Sequence, residues 1–403
     1  MRVPFAGMGM NMRRALAVTA TAVLGAGLAA CAQTTGTVRE ASHAGHVPAA
    51  ADTTPAEPLR SGERFLRMAL PRAYTPVPPN GGTDQYRCFL IDPRLKERAF
   101  VTGSQFLPQN ARLVHHAILF RVQPDQVQEA KGLDAADDGD GWTCFGGTGL
   151  GGGNPGRQLR SGLGWIAAWA PGAKEVVLGD NLGYELKAGS QIIMQVHYNL
   201  LATDGKAEPD RSGVRLRLTE PTKGMRALQT SLVPAPVELP CPSGQRGKLC
   251  DREQSVLDVW HRFGQRAASL VAGLNILCNK GEKPKAGATQ HCDIPVTQAG
   301  TVYAVAGHMH LLGRKIKVEL NPGTSRARTL LDVTNYNFDD QSARPLTRPV
   351  AVKPGDTYRV TCTHDASLRA RLPELRQLPP RYVVWGDGSS DEMCLGIVVW
   401  TRA

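Results

Sequence analysis

The sequence is short of aromatic residues, which occupy 6% of its 403 positions, and it has no Lys/Arg block interleaved with aromatics. That pattern is how nucleic-acid binders usually announce themselves, so nucleic acid is not expected as a partner. No Cys-x-x-Cys pair occurs, which removes a zinc ribbon or a thioredoxin-like redox motif from consideration. The apolar stretch at residues 15–27 falls short of the roughly 20 residues a membrane-spanning helix needs. The sequence does have 43 Gly, 28 Pro and 42% hydrophobic residues, a composition that fits turn-rich β structure and excludes a wholly disordered or collagen-like chain. The formal charge of +11 includes Arg2, Arg13 and Arg14, which no nearby acid offsets; without them it is +8, a mildly basic surface.

The N-terminus reads as an export signal. Arg13 and Arg14 precede the apolar stretch, and Leu28-Ala29-Ala30-Cys31 follows it. That run resembles the lipobox of bacterial lipoproteins, in which the cysteine becomes the lipidated first residue. The expected product is an exported lipoprotein anchored to the membrane through Cys31. Ala32 after the cysteine suits the outer membrane, facing the periplasm. Eight cysteines then remain for an oxidising compartment, enough for four disulfides. Only the short loops suggest partners by position, Cys241 with Cys250 and Cys278 with Cys292.

Along the chain, residues 1–31 form the signal and lipobox. Residues 32–60, rich in Ala, Thr, Pro and Glu, read as a disordered tether, with His43 and His46 as solvated tether residues. From residue 84 onward, short alternating segments separated by Gly, Pro, Asn and Asp give an all-β pattern, as at residues 112–122, 191–200, 301–306 and 357–362. The pattern breaks at residues 220–224, so the expected architecture is two consecutive antiparallel β-sandwich domains, 61–220 and 221–403. A short helical insertion is predicted at residues 252–263, with Val256, Leu257, Trp260 and Phe263 as its apolar stripe. The Gly-rich run at residues 146–156 contains Gly147-x-Gly149-x-x-Gly152, but Asn154-Pro155-Gly156 follows where a phosphate-binding helix would have to begin. It reads as a loop without nucleotide.

Imidazoles stand where apolar side chains are expected. His115 and His116 lie in Leu113-Val114-His115-His116-Ala117-Ile118, and His197 lies in Gln195-Val196-His197-Tyr198-Asn199. Burying an unpaired polar group costs on the order of 2 kcal/mol, so such positions call for a partner. Neighbouring residues on a regular strand face opposite ways, so His115 and His116 can share one ion only where the backbone is irregular. In Gly307-His308-Met309-His310, the two histidines are two apart and project from one strand face, a spacing that suits two ligands of one metal. Met393, in Asp391-Glu392-Met393-Cys394, is core filler by local rules.

Four segments, in order, resemble the copper type II ascorbate-dependent monooxygenases: Val114-His115-His116, Gln195-Val196-His197-Tyr198, His308-Met309-His310 with Leu312-Gly313, and Ser390-Asp391-Glu392-Met393-Cys394. The resemblance covers roughly residues 84–403 and implies two jelly-roll-like β-sandwich domains. It further implies two separated copper ions per chain, one held by His115, His116 and His197 for electron transfer, the other by His308, His310 and Met393 for oxygen chemistry. Disulfides Cys88–Cys144 and Cys362–Cys394 are implied by the same analogy. A thioether suits Cu(I) and is unusual on zinc, which agrees with copper independently of the resemblance.

The expected activity is hydroxylation of a C–H bond in a small organic substrate, using O2 and a small one-electron reductant such as ascorbate. Peptide-amidating members carry an Arg and a Tyr at the positions of Ala306 and Ile397, so a peptide carboxylate is not the expected substrate group. Two other readings start from the same residues. One is a non-catalytic copper-binding or copper-handling protein, and the other is a zinc hydrolase on the first three histidines. The latter lacks an evident general base and leaves Met393 unexplained.

Overall fold

The computed structural model describes residues 55–145, 147–151, 164–170, 173–338 and 340–403. Cys31, the tether histidines and most of the Gly-rich run lie outside the described residues.

Among the described residues the strands form four sheets. The largest runs in the order β1 (Glu63–Ala69), β10 (Gly213–Thr219), β3 (Ala99–Leu107), β8 (Leu182–Leu186), β11 (Arg226–Pro234), β20 (Leu395–Arg402), β14 (Gly300–His308) and β17 (Arg344–Val352), with β7 (Val176–Val177) attached to β3. A second sheet orders β5 (Trp142–Thr143), β2 (Asp84–Ile91), β9 (Gln191–Asn199), β4 (Val114–Val122) and β6 (Trp165–Trp169). The third orders β13 (Thr289–Pro295), β18 (Thr357–His364), β15 (Gly313–Leu320) and β16 (Arg328–Val333). The fourth pairs β12 (Glu238–Leu239) with β19 (Val383–Val384). The protein is all-β and sandwich-like, with few helices.

Residues 220–224, where the sequence pattern breaks, form the turn between β10 and β11. β11 then pairs in parallel with β8, and the large sheet continues through both halves of the chain.

Period-two burial explains the outer strands. In β13, Gln290, Cys292 and Ile294 are buried while the residues between them are exposed, as expected for a strand with one face on the core. β9 differs, being buried at all nine positions. Ile192, Met194, Val196 and Tyr198 enter one hydrophobic cluster with Leu216 and Leu218 of β10, while Ile193 on the opposite face joins another with Val302 and Val398. A ligand carried on the second face of β9 is therefore enclosed by protein.

The predicted helix is present as α2 (Arg252–Phe263), after α1 (Val127–Ala135). The Asp251 side chain caps it by accepting the Gln254 N–H at 3.0 Å. The expected apolar stripe is buried at Phe263 and half-buried at Val256, and not at its other two positions. Ser255, Val259 and Phe263 face inward, whereas Leu257 and Trp260 are each 43% exposed. The inward row, spaced four apart, can include a serine because its hydroxyl donates to the Tyr382 carbonyl oxygen at 2.5 Å. Gly264, at φ +86°, turns the chain directly into a second helix, α3 (Gln265–Cys278), which sequence periodicity did not mark.

Four disulfides staple these elements: Cys88–Cys144, Cys241–Cys250, Cys278–Cys292 and Cys362–Cys394. They are the two short-loop pairs together with the two pairs implied by resemblance.

Candidate metal centres

His115 and His116 sit at the start of β4, and His197 sits opposite them on β9. The β4–β9 register shifts between Val114 and His116, so His115 occupies an irregular backbone position and both imidazoles turn to the same side. The three Nδ1 atoms form a triangle with edges of 3.0, 3.2 and 3.3 Å. His197 Nε2 lies 2.9 Å from Asp84 Oδ1. A carboxylate only accepts, so that Nε2 carries the proton and Nδ1 presents its lone pair to the other two rings. Three ring nitrogens crowded in this way could hold one cation.

Electrostatics favour that state. Burial, with the charges of the neighbouring rings, holds His116 well below the ordinary imidazole range, so it is neutral and able to ligate. Burial opposes ionisation of Asp84, but hydrogen bonding and charge from His197, with donors from Asn199 and Ser389, hold its carboxyl below the usual range. Asp84 is thus an ionised carboxylate fixing the ring of His197, the arrangement that orients metal-binding histidines. The Tyr86 ring stacks on His197 at 4.1 Å and 15°, and its hydroxyl donates to the Asp387 carbonyl at 2.8 Å. Gln195 donates its amide N–H to the Cys144 carbonyl at 3.1 Å, tying β9 to the Cys88–Cys144 disulfide.

The second group lies at the end of β14. The rings of His308 and His310 are 5.2 Å apart and nearly perpendicular. His308 Nδ1 bonds to Gln341 Oε1, and the Gln341 amide N–H in turn donates to the Phe338 carbonyl at 2.7 Å. His310 Nδ1 donates to the Asp391 carbonyl at 3.2 Å. Both rings are thereby left with Nε2 as the lone-pair atom. His310 Nε2 is buried and has no hydrogen-bond partner, an orphaned acceptor that a metal would satisfy. Met393, almost fully buried, lines the same cavity as His308. Burial, with the charge of His310, pushes His308 down to about 3. Two imidazoles and a thioether fit copper, particularly Cu(I).

Several supporting residues escaped the sequence reading. Glu392 accepts the backbone N–H groups of His310 at 2.9 Å, Leu312 at 2.5 Å and Met393 at 3.2 Å. Its carboxylate stands 3.3 Å from the buried ring of His364. Burial works against the charge on Glu392, but the hydrogen bond and charge of His364 keep its carboxyl below the usual range. The Tyr336 hydroxyl clasps Met309 from both sides, accepting its N–H at 2.9 Å and donating to its carbonyl at 2.7 Å. A Cβ at Gly313 would come within 2.8 Å of Met309 Cβ, so glycine lets β15 close over this turn. Arg262 of α2 grips Asp391 with two bonds of 2.6 and 2.9 Å, linking the helical insertion to the carbonyl that meets His310. The available signal was the placement of charged residues beside the motifs: Asp84 opens β2, and Glu392 adjoins Met393.

The two groups are not separated. The rings of His116 and His308 are 6.1 Å apart, and Phe338 packs on His115 at 5.0 Å. The strand pairing that joins the two halves brings His115 and His116 to the same cavity as His308 and Met393.

The side chains present, imidazoles in one group and imidazoles with a thioether in the other, are of the kinds that suit copper. Residues 279–402 match the family model described as copper type II ascorbate-dependent monooxygenase, C-terminal domain. The match supports a general copper monooxygenase role. Similarity to solved structures is slight. Allantoicase is 10% identical, covering 79% of this chain and 78% of its own, with a TM-score of 0.19. A Paenibacillus xanthan lyase is 11% identical, covering 81% and 23% respectively, with a TM-score of 0.18. The coconut allergen cocosin is 10% identical over 84% and 85%, with a TM-score of 0.14. At these scores none of them carries an argument.

Proposed function

We propose that the protein is an exported monooxygenase holding two copper ions per chain, which hydroxylates a C–H bond of an organic substrate with O2 and a one-electron reductant of the ascorbate type. The overall change is R–H + O2 + two electrons + two protons → R–OH + H2O, with two reductant molecules each giving one electron. Copper would supply the one-electron steps and the reduction of O2. The chain's own part is orientation. Asp84 fixes the His197 ring, Gln341 and the Asp391 carbonyl direct Nε2 of His308 and His310, and Glu392 holds the backbone around His310 and Met393. The observation carrying this reading is that His308 and Met393 line the same cavity as His115 and His116, so members of both donor sets face one space large enough for a substrate.

Copper loading of the metal-free mature protein is expected to reach two ions per chain, with O2 uptake that depends on reductant. A stoichiometry of one, or none, would overturn the reading. Met393→Ile should abolish O2 uptake while His115, His116 and His197 still bind copper. Unchanged copper behaviour in a protein that never consumes O2 would favour a copper-handling role.

The location belongs to the same proposal: an outer-membrane lipoprotein facing the periplasm, anchored through Cys31. Cys31→Ser should release the protein from the membrane fraction, and persistence there would refute the anchor.

A further inference from the structure

The cavity that both donor sets share has a volume of about 1320 Å³. That exceeds the roughly 300–1,000 Å³ of sites that enclose drug-sized ligands. It lies where β4 and β6 of the second sheet face β11, β20 and β14 of the large one. Its lining includes Trp165 and Trp169 from β6, Leu232 from β11, and Ile397 and Val399 from β20. Ala306 and Ile397 are direct cross-strand partners, and both reach the cavity. The wall beside His308 is therefore apolar on both strands.

Two of the charged groups along the lining meet partners, while Lys174 and Arg402 also line it and Nε of Arg121 is buried without a hydrogen-bond partner. Glu175 is paired with Arg217 at 2.9 Å, and Arg121 gives Nη1 to the Glu185 carbonyl at 2.6 Å. Burial, with the charge of Asp391, pushes the Asp387 carboxyl up to about 7. An ionic substrate group placed against Ala306 and Ile397 would lose its hydration without gaining a partner there. An apolar chain would gain about 0.8 kcal/mol for each methylene it buries.

We propose that the substrate is a lipid-sized apolar molecule that fills this cavity lengthwise and presents one C–H bond at the His308, His310 and Met393 end. The inference rests on the monooxygenase reading for its chemistry, while its statement about what binds stands on the cavity. It departs from the expectation of a small substrate, because a small molecule would leave most of the apolar wall wetted.

The test is calorimetric titration of the mature protein, metal-free and copper-loaded, with 1-alkanols from butanol to dodecanol. Affinity is expected to rise roughly threefold to fourfold per methylene, following from the free energy above, until the cavity is filled. Ile397→Trp, which fills space, should weaken dodecanol by at least tenfold and leave copper uptake unchanged. Competition of dodecanol against butanol on the unaltered protein gives the same answer without a variant. Affinity that does not change with chain length, or tighter binding of a short charged amine such as ethylamine than of dodecanol, would overturn the proposal. Length-dependent binding without any O2-coupled hydroxylation would overturn the monooxygenase reading and leave the cavity reading standing. Hydroxylation confined to butanol-sized molecules, with no dependence of binding on length, would do the reverse.

Discussion

Ser389 donates both its backbone N–H, at 3.2 Å, and its hydroxyl, at 3.1 Å, to Oδ1 of Asp84. The same oxygen meets Nε2 of His197 at 2.9 Å and takes an amide N–H from Asn199 at 2.8 Å. Two residues beyond Ser389, the Asp391 carbonyl meets Nδ1 of His310. A short run of covalent and hydrogen bonds thus connects a ring of one donor set to a ring of the other.

Asp84→Asn is expected to weaken copper at the first donor set by 10- to 100-fold while leaving the second loaded, since loss of an orienting carboxylate typically has that effect. Competition with a chromophoric chelator measures it. Equal loss at both sets, or at neither, would count against the role assigned to Asp84.

Glu392→Gln replaces an acceptor of three backbone N–H groups with a side chain that offers one carbonyl oxygen. At least one buried N–H loses its partner, at a cost of about 1–3 kcal/mol. The melting temperature should fall, and copper at His308, His310 and Met393 should be lost first. An unchanged melting curve would refute the assignment.

Arg262→Ala removes one of the two guanidinium groups on buried Asp391, whose other partner is Arg381 at 2.8 Å. Because Arg381 remains, the expected loss is about 1–3 kcal/mol, below that of an entirely stripped buried charge. Denaturant titration reads the stability, and electron paramagnetic resonance of Cu(II) at the second set should show a changed ligand geometry. A spectrum identical to the parent would mean that α2 serves packing alone.

Burial, reinforced by the charge of Asp391, raises the Asp387 carboxyl to about 7. Folding then favours the protonated form. The contribution of this group is full below the unfolded value near 4 and is lost as pH rises through about 7. Asp387→Asn should match the parent protein below about pH 4 and melt higher than it above pH 7. Thermal melts across that range check the sign, and a variant that is less stable at pH 8 would contradict it.

The candidate donor histidines stand out in the chain because imidazoles on apolar strands are conspicuous, and because a histidine pair at alternate positions implies a shared face. Even the irregularity at His115 followed from strand geometry as a condition for His115 and His116 to act together. What could not be read was long-range. Asp84 meets Ser389 across more than three hundred residues, and Glu392 meets His310 across 82, so neither leaves a local pattern. The buried face of α2 was misjudged for a related reason: Ser255 turns inward only because the Tyr382 carbonyl awaits it. The closeness of His116 and His308 depends on pairing between distant strands, which periodicity within a segment does not report.

The displaced register at His115 has one further implication. Because side chains on a strand alternate, the extra residue there acts as a counting device: it turns a parity that would point two imidazoles apart into one that points them together. Removing a single residue from this stretch would leave the composition almost intact and every histidine in place, yet turn one of the pair toward the opposite side. The grouping of the three imidazoles is thus stored in the arithmetic of the backbone as much as in the identity of the side chains, and a short deletion near residue 115 would disturb it more than many substitutions.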